Sequence, residues 1–287
     1  MARLLLVLLL AVPAARACSV PVFRYALERW KPASFPIVAK GDRAEVRYPD
    51  SEDDDPPLWS GPAVGAEAIK RSPARDELAR LLASGESVVW LLLLSGDAAA
   101  DRAAEALLRG ELARLETVLA LPPEKDTRDD LLSPVPLRLS FAVLRVRRDD
   151  PAEAVLVKQL LDLDDALAGA GGPMAFPVFG RGRVLCGLVG DGLSADEIAS
   201  SSKYLCGSCS CTVKNDSPGR DLLMEADWPR LLMMEDAEEK ERPAPVIAPG
   251  VKDEDEEDAP PPSTMPWWLG AGAVLGVLAL AAWRLAR

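Results

Sequence analysis

The sequence predicts an α/β domain, with a central mixed sheet flanked by helices, followed by one C-terminal transmembrane helix. The run VVWLLLL at residues 88–94 has the length and composition of a strand that is buried on both faces. Beyond it, leucines recur at helical spacing from Leu108 to Leu119. Between Ser87 and Leu205 the predicted order is strand, helix, strand, helix, strand, strand, helix, and this alternation is typical of α/β domains.

The N-terminus predicts a secretory signal peptide over residues 1–17. A positive charge is followed by an apolar run, and Ala15-Arg16-Ala17 has the small-x-small pattern of a cleavage site. We expect cleavage after Ala17, which makes Cys18 the first mature residue. A lipid anchor on Cys18 is a weaker alternative, because lipid attachment favours a Leu-like residue three positions before the cysteine, where this chain has Ala15.

The C-terminus predicts a single membrane span. Residues 267–283 form an uninterrupted apolar run with Trp at both ends, and arginines follow it. As a helix this run rises about 26 Å, close to the thickness of the hydrocarbon core, and the arginines favour a cytoplasmic end. We therefore expect a transmembrane helix at 266–284 and a cytoplasmic tail at 285–287. The protein would be single-pass in the cell membrane, with its N-terminal domain extracytoplasmic (periplasmic).

The charge distribution argues against nucleic acid as a partner. The net charge is −12, and much of the excess lies at residues 50–55 and in a Pro-rich stretch near the C-terminus. We expect residues 231–265 to form a solvated acidic linker. A cation site at 50–55 is a weaker alternative, because no glycine-pivoted ligand spacing supports it.

Residues 18–86 predict an N-terminal extension of helices and strands in front of the main domain. Prolines, glycines and a Ser-Pro pair delimit its segments. The expected elements are a helix at 20–30, strands at 35–40 and 45–48, an exposed loop at 50–62, and a helix from Ser72 or Pro73 to Gly85.

The main domain is predicted at 87–230, with a Cys-rich end. Asp97 is expected to cap the helix after the first strand, and Ser194 with Glu197 forms the capping-box pattern of the last helix. The other expected elements are a strand at 137–146, a helix at 149–167, and a hairpin of strands at 176–179 and 184–189 around Gly180-Arg-Gly182.

This order of elements resembles the thioredoxin fold. VVWLLLL resembles its central strand, AADRAAEALLRGELARLE its first long helix, and LRLSFAVLRVRRDDPAEA the strand, turn and helix that follow. FPVFGRGRVLCGLVGDGLSADEI resembles its closing hairpin and last helix. The resemblance covers residues 87–205 and is one of pattern. It implies a thioredoxin-like sandwich in which Pro177 corresponds to the family's cis-proline beside the active site.

The chain departs from that family at the turn between the central strand and the first long helix. There the family carries a redox pair of cysteines, and the helix N-terminus lowers a thiol pKa. This chain has SGDAAA at residues 95–100. We therefore expect no catalytic residue at this turn, and the family's disulfide exchange does not carry over.

A second resemblance concerns the start and end of the mature domain. CSVPVFRYALERW at residues 18–30, with the distal CSCTVK and DLL…ADW, resembles a group of exported proteins of planctomycete-type bacteria. This resemblance implies export and a bacterial origin, and it assigns no activity.

Five cysteines follow the signal, and three interpretations remain open. Structural disulfides are favoured in an oxidising compartment, with Cys18, Cys206, Cys209 and Cys211 as candidates and one bridge from Cys18 to Cys209 or Cys211. Cys206-Gly-Ser-Cys209 has redox spacing, but it follows a predicted helix, whose C-terminus raises a thiol pKa. Cys206, Cys209 and Cys211 together are candidate ligands of a soft metal ion. Cys186 is expected to be a buried apolar filler.

The chain contains no histidine, which excludes Ser-His-Asp and Cys-His catalysis and His-bearing metal sites. We therefore expect a non-catalytic binding or scaffolding module of the cell envelope, without a cofactor and with an envelope protein as its partner. The alternative is a thiol–disulfide or soft-metal-binding protein that uses Cys206, Cys209 and Cys211.

Overall fold

The computed structural model of the chain describes residues 20–52, 54–66, 68–122, 131–208 and 214–234. The chain divides into two units, Met1–Ala237 and Glu238–Arg287, and every described residue belongs to the first. Among the helices described, none is long and apolar enough to cross a membrane. The predicted signal peptide at 1–17, the transmembrane helix at 266–284, the tail at 285–287 and the linker beyond 234 lie outside the described residues. The linker predicted from residue 231 is wrong at its start, because Leu231 ends the last described helix and Leu232 is fully buried in the domain.

The described chain contains both helices and strands. In order they are α1 (Val22–Arg29), β1 (Ile37–Lys40), β2 (Arg43–Val46), β3 (Trp59–Pro62), α2 (Pro73–Ala83), β4 (Val88–Leu94), α3 (Ala98–Val118), β5 (Phe141–Arg147), α4 (Ala154–Leu161), α5 (Asp165–Ala168), β6 (Met174–Phe179), β7 (Arg183–Val184), β8 (Leu188–Val189), α6 (Ala195–Cys206), β9 (Arg220–Asp221) and α7 (Trp228–Leu231). Short 3₁₀ turns join several of them.

The larger of the two sheets has the strand order β5-β4-β6-β7-β9, and β8 also pairs with β6. β4 runs parallel to β5, which requires a crossover, and α3 supplies it. β4 runs antiparallel to β6, with Trp90 opposite Pro177. The predicted α/β class, with a mixed sheet flanked by helices, is confirmed.

Strand β4 separates two hydrophobic cores. Successive side chains of a strand point to opposite faces, and in β4 both faces are apolar. Leucines of α2 and α4 cover one face, and side chains of α1, α3 and α6 cover the other. The β4 residues of the first core are Val89, Leu91 and Leu93, and those of the second are Val88, Trp90 and Leu92. All six are inaccessible to solvent.

A smaller antiparallel sheet, in the order β1-β2-β3, lies in the N-terminal extension between α1 and α2 along the chain. Phe35, Val46 and Leu58 pack with Leu223, so a core of its own attaches this sheet to the C-terminal part of the domain. The loop predicted up to residue 62 is wrong at its end, where β3 forms.

In the edge strand β3 the Trp59 ring lies over Gly61, where a residue with a side chain would collide with the ring. A Cβ at Gly61 would approach the Trp59 ring carbons to 2.2 Å.

Two other predicted elements are interrupted. The helix expected at 149–167 divides into a 3₁₀ turn, α4 and α5, because the Asp164 side chain caps α5 by accepting from the Ala166 N–H. The strand expected at 184–189 divides into β7 and β8. Between these two strands, residues 185–187 lie opposite only two residues of β6, 176 and 177. The extra residue forms a β-bulge.

Pro177 lies in β6, opposite the bulge. The prediction that it is a cis-proline is wrong. The described residues contain no cis peptide bond. Pro177 continues the extended strand between Phe176 and Val178, and its carbonyl accepts from the Leu185 N–H at 2.9 Å. Its missing N–H falls where the β7 and β8 ladders are interrupted, which is where a strand tolerates proline.

A buried ion pair fixes α1 to the domain. Both Glu28 carboxylate oxygens are inaccessible to solvent, and they accept from Arg24 Nε at 2.8 Å and from the Leu132 and Ser133 N–H groups at 3.0 Å. Arg24 also donates to the Ser133 carbonyl at 2.8 Å. Burial lowers the pKa of Arg24, and the Glu28 charge opposes that shift. Helix α1 is therefore held by its polar face as well as its apolar face.

The hairpin turn after β6 packs against the end of α1. Gly180 has φ +60°, and a Cβ there would lie 2.7 Å from the Ala26 Cβ, so glycine is required at this contact. Arg181 then donates to the Leu27 carbonyl at 2.7 Å and to the Glu28 carbonyl at 3.0 Å, which caps the last turn of α1.

We predict that Glu28→Gln lowers the free energy of unfolding by about 3 kcal/mol, because it leaves the Arg24 charge buried without its counter-ion. Urea unfolding followed by circular dichroism measures the change. The control is Glu77→Gln, which removes an exposed i,i+3 pair with Arg80 and should cost at most about 0.5 kcal/mol. Equal losses in the two variants would contradict the assigned role of Glu28.

Candidate functional site

The turn between β4 and α3 is closed by two carboxylates. Asp97 accepts from the N–H groups of Ala99 and Ala100 at 2.8 and 3.1 Å, which confirms the predicted N-cap. Asp101, only 8% exposed, accepts from the Ser95 N–H at 2.8 Å and from the Gly96 N–H at 3.1 Å. The N–H groups at the start of α3 and in the preceding turn are thus already bonded to side chains.

The same hydrogen bonds keep both carboxyls ionised. Bonds from the Ala100 and Ala99 N–H groups lower the pKa of Asp97. Burial acts to raise the pKa of Asp101, but hydrogen bonds from Ser95 and Gly96 outweigh it and the pKa is lowered. Negative charge at the N-terminus of α3 also matches the helix dipole. This turn is a stable cap.

The structure describes two of the five cysteines, and both have free thiols. Cys206 is the last residue of α6, it is 3% exposed, and burial raises its pKa to about 12. Cys186 lies half-buried in the bulge, 3.8 Å from the Ser201 hydroxyl, and burial raises its pKa too. Because a thiolate is the nucleophile and the metal ligand, neither thiol is activated at neutral pH.

The other candidate cysteines, Cys18, Cys209 and Cys211, lie outside the described residues. Within the described residues, no three Cys, Asp or Glu side chains lie close enough together to hold a metal ion. The metal set Cys206, Cys209 and Cys211 therefore stays a prediction.

A cleft of about 830 Å³ lies between the N-terminal extension and one end of the larger sheet. Its walls come from the loop after β2, from α4 and α5, and from the strands β7 and β9. Among its lining residues are Tyr48, Asp50, Asp55, Lys158, Asp162, Asp165, Arg183, Lys214, Arg220 and Asp221. We call this feature the charged cleft.

Asp162 organises one side of the charged cleft. Its Oδ2 accepts from the Tyr48 hydroxyl at 2.8 Å and also contacts Lys158 Nζ. Burial, reinforced by the hydrogen bond to Asp162, raises the pKa of Tyr48 well above its ordinary value, so this hydroxyl stays a neutral donor. Arg220 donates to the Asp162 carbonyl at 3.1 Å.

Asp221 organises the other side. It accepts from Arg183 Nη1 at 2.9 Å and from the Ala33 N–H at 2.7 Å, and it contacts Lys214 Nζ. Lys214 also donates to the Lys31 carbonyl at 2.6 Å. These contacts tie the segment after α1 to β7 and β9, so the wall does not depend on a single loop.

The charged cleft is suited to binding a polar ligand that carries charges of both signs. Its size lies in the range of ligand pockets. Most such pockets are lined mainly by apolar side chains, whereas most of the residues that line this one are polar or charged. Asp50, Asp55, Asp165 and Arg220 are exposed at its surface, and Lys158 is half-exposed. Charges at the surface of a binding site contribute more to selectivity for a complementary partner than to the binding affinity itself.

Sequence reasoning missed this cleft. Asp50 and Asp55 belong to the acidic run that was noted, and this run is the signal that could have pointed to the site. Asp162 lies inside a predicted helix, and Asp221 follows the Cys-rich segment, more than fifty residues further on. No local pattern joins residues that only the folded sheet brings together.

Comparisons of this chain with protein-family models, with curated proteins and with solved structures give no match.

We predict that Cys206 resists alkylation in the folded protein. At pH 8 its thiol should react with iodoacetamide at least about a hundredfold more slowly than in urea, because burial suppresses both the thiolate and access. Quantitative peptide mass spectrometry follows this one cysteine. Equal rates in the folded and the unfolded chain would show that the thiol is accessible.

The raised pKa of Cys206 also predicts a pH dependence of stability. The folded-state pKa lies above the ordinary value of 9.0, so the stabilisation is complete below pH 9 and is lost as the pH rises towards 12. Above pH 9 the loss approaches about 1.4 kcal/mol per pH unit. Unfolding free energies of the wild type and of Cys206→Ala between pH 7 and 11 measure it. The variant should show a weaker decline, and parallel curves would contradict the assignment.

Proposed function

We propose that this protein is a membrane-tethered, extracytoplasmic, thioredoxin-like domain without a catalytic redox pair, which acts as a binding or scaffolding module in the cell envelope. The observation that carries the proposal is the charged cleft, a preformed site that contains both positive and negative side chains and whose walls are held by partly buried hydrogen bonds. In the proposal an extracytoplasmic protein segment occupies it.

Strand order supports the thioredoxin-like assignment. The larger sheet contains the strand order β5-β4-β6-β7. The β4–β5 pair is parallel, β6 pairs antiparallel with β4 and with β7, and helices cover both faces of the sheet. This arrangement agrees with the order that the resemblance to the thioredoxin fold implies. In this proposal the capped turn at 95–100 occupies the position of the family's redox pair.

Two observations weigh against thiol exchange as the function. Asp97 and Asp101 already bond the N–H groups that would stabilise a thiolate at the start of α3. Cys206 is buried at the C-terminal end of α6, where the helix dipole disfavours a thiolate. The alternative, a thiol or soft-metal protein built on Cys206, Cys209 and Cys211, gains no support from the geometry of Cys206.

The ends of the chain provide the tether in this proposal. A cleaved signal at 1–17 exports the domain, the helix at 266–284 anchors it, and the acidic Pro-rich linker, which begins after residue 234 and ends at 265, separates the two. Extended as polyproline II, such a linker spans up to about 100 Å. The charged cleft could then reach a partner well away from the membrane surface.

The binding function can be tested with cleft variants of the full chain. Lys158→Ala with Arg220→Ala removes two cations from the charged cleft, and each lost charged contact should weaken binding about tenfold or more. The tagged chain is purified from solubilised membranes, and the envelope proteins recovered with it are quantified by mass spectrometry. The cleft variant should lose the partners that the wild type retains.

The matched control is Arg109→Ala with Arg114→Ala. It removes two exposed cations of α3, each of which is paired with a carboxylate, as Lys158 is in the cleft. This variant should keep the same partners as the wild type. If the cleft variant retains its partners, or the control loses them equally, the charged cleft is not the binding site.

The proposed topology has its own test. We expect the full chain to stay in the membrane fraction after alkaline carbonate extraction, and its domain to be digested by protease added to spheroplasts. Removal of residues 266–287 should release the domain from the membrane. A carbonate-soluble full chain, or a domain that protease reaches only after lysis, would contradict the tether.

A further inference from the structure

Strand β5 lies at one end of the larger sheet and is paired along one side only. All seven of its residues pair with β4. The Phe141 N–H donates to Glu116 Oε1 of α3 at 2.8 Å, so this residue directs its backbone groups away from β4. Backbone groups of successive residues point to opposite sides of a strand, so Val143 and Arg145 direct theirs outward as well. No hydrogen bond within the described residues uses these outward groups of Val143 and Arg145.

The open side of β5 offers hydrogen bonds to a further strand. Unpaired strand edges recruit extended segments of other chains unless charges, prolines or bulges prevent it. Residues 141–144 are apolar and half-buried, and β5 contains no proline. Arg145 and Arg147 are exposed, with side chains 58% and 65% accessible to solvent. These two arginines therefore decide which strand the edge accepts and in which register.

A second copy of β5 fits this edge when it pairs antiparallel about a two-fold axis at Leu144. All seven residues then pair, with Val143 opposite Arg145 of the second copy and Phe141 opposite Arg147 of the second copy. Any other axis pairs fewer residues of the strand. An axis at Arg145 would also place two arginines directly opposite each other, and like charges in that position destabilise a strand pair.

Glu116 supplies the counter-charge in this register. It is exposed, and the described residues give it no cationic partner. Its bond to the Phe141 N–H holds the carboxylate at the open side of β5, where Arg147 of the second copy stands opposite Phe141. In the single chain the Arg147 side chain pairs only with the exposed Asp149, two residues along. Two-fold symmetry repeats the contact between Glu116 and Arg147 at both ends of the paired strands.

We propose that two copies of this chain associate through β5, so that the larger sheet continues across a two-fold axis at Leu144. About four backbone hydrogen bonds join Val143 and Arg145 of the two copies, because each such pair exchanges both of its N–H···O bonds. Ion pairs between Glu116 and Arg147 close the two ends. The charged cleft is lined by β7 and β9, at the other end of the strand order, so the dimer presents two such clefts. The pairing itself does not depend on the proposed function.

Leu144→Cys tests the axis in the full chain purified from solubilised membranes. Two residues on the axis form a non-hydrogen-bonded pair with Cα atoms about 4.5 Å apart, which a disulfide spans. After oxidation and blocking of free thiols, non-reducing peptide mapping should recover the peptide around position 144 linked to its own copy. Ala142→Cys is the matched control, because this half-buried residue lies on the same face but about 13 Å from its own copy in this register. It should give no such link.

A charge exchange in the Leu144→Cys chain tests the ion pairs. Glu116→Arg turns both end contacts into repulsions and should lower the yield of the link about tenfold. Adding Arg147→Glu restores opposite charges and should restore the yield, which a variant that had merely lost its fold would not do.

Four outcomes would overturn the proposal. They are no link at position 144, equal links at positions 142 and 144, a link from position 144 to a different protein, and a yield that the charge exchange leaves unchanged. The test of the charged cleft stands apart from all four, because its variants leave β5 and Glu116 intact.

Discussion

The burial of β4 on both faces is the constraint on which the rest of the fold depends. Six consecutive residues of this strand are inaccessible to solvent, and alternate ones belong to different cores. Such a strand needs helices above and below it and a strand on each side. The parallel partner β5 requires the crossover α3, and the antiparallel partner β6 forms the other boundary. Removing apolar volume from β4 would therefore loosen both cores together.

Polar contacts then attach the peripheral segments to this centre. Glu28 and Arg24 hold α1, and a second buried group joins α2 to the C-terminal segment. In that group Glu153 accepts from the Ser72 hydroxyl at 2.6 Å, and Arg75 donates to the Leu223 carbonyl at 2.9 Å. Buried charges tolerate few alternatives, because a displaced partner leaves an uncompensated charge. The walls of the charged cleft are positioned by the same extension and C-terminal segment.

The apolar patterns of the sequence were sufficient to predict the class of the fold. The continuous run of β4, the leucine spacing of α3 and the caps at Asp97 and Ser194 are local signals, and the structure bears them out. The interruption between β7 and β8 was not predictable, because a bulge depends on pairing with β6 rather than on its own residues.

The candidate site was harder to predict for the same reason. Glu28 and Arg24 have the sequence appearance of surface charges on an amphipathic helix, although both are buried. Tyr48, Asp162 and Asp221 come from three separate parts of the chain, and their contacts exist only after the extension packs on the domain. A site that is assembled from residues far apart in the sequence has no characteristic sequence spacing that could predict it.

The central claim is that partners bind at the charged cleft and not at the capped turn before α3. Site-specific photo-cross-linking in cells tests it most directly, with a benzophenone amino acid placed in the full chain at Asp165 or at Ala98. Both positions are exposed, the first in the cleft and the second at the turn. We expect cross-links to an envelope protein from position 165 and none from position 98. Cross-links from position 98, with none from position 165, would contradict it.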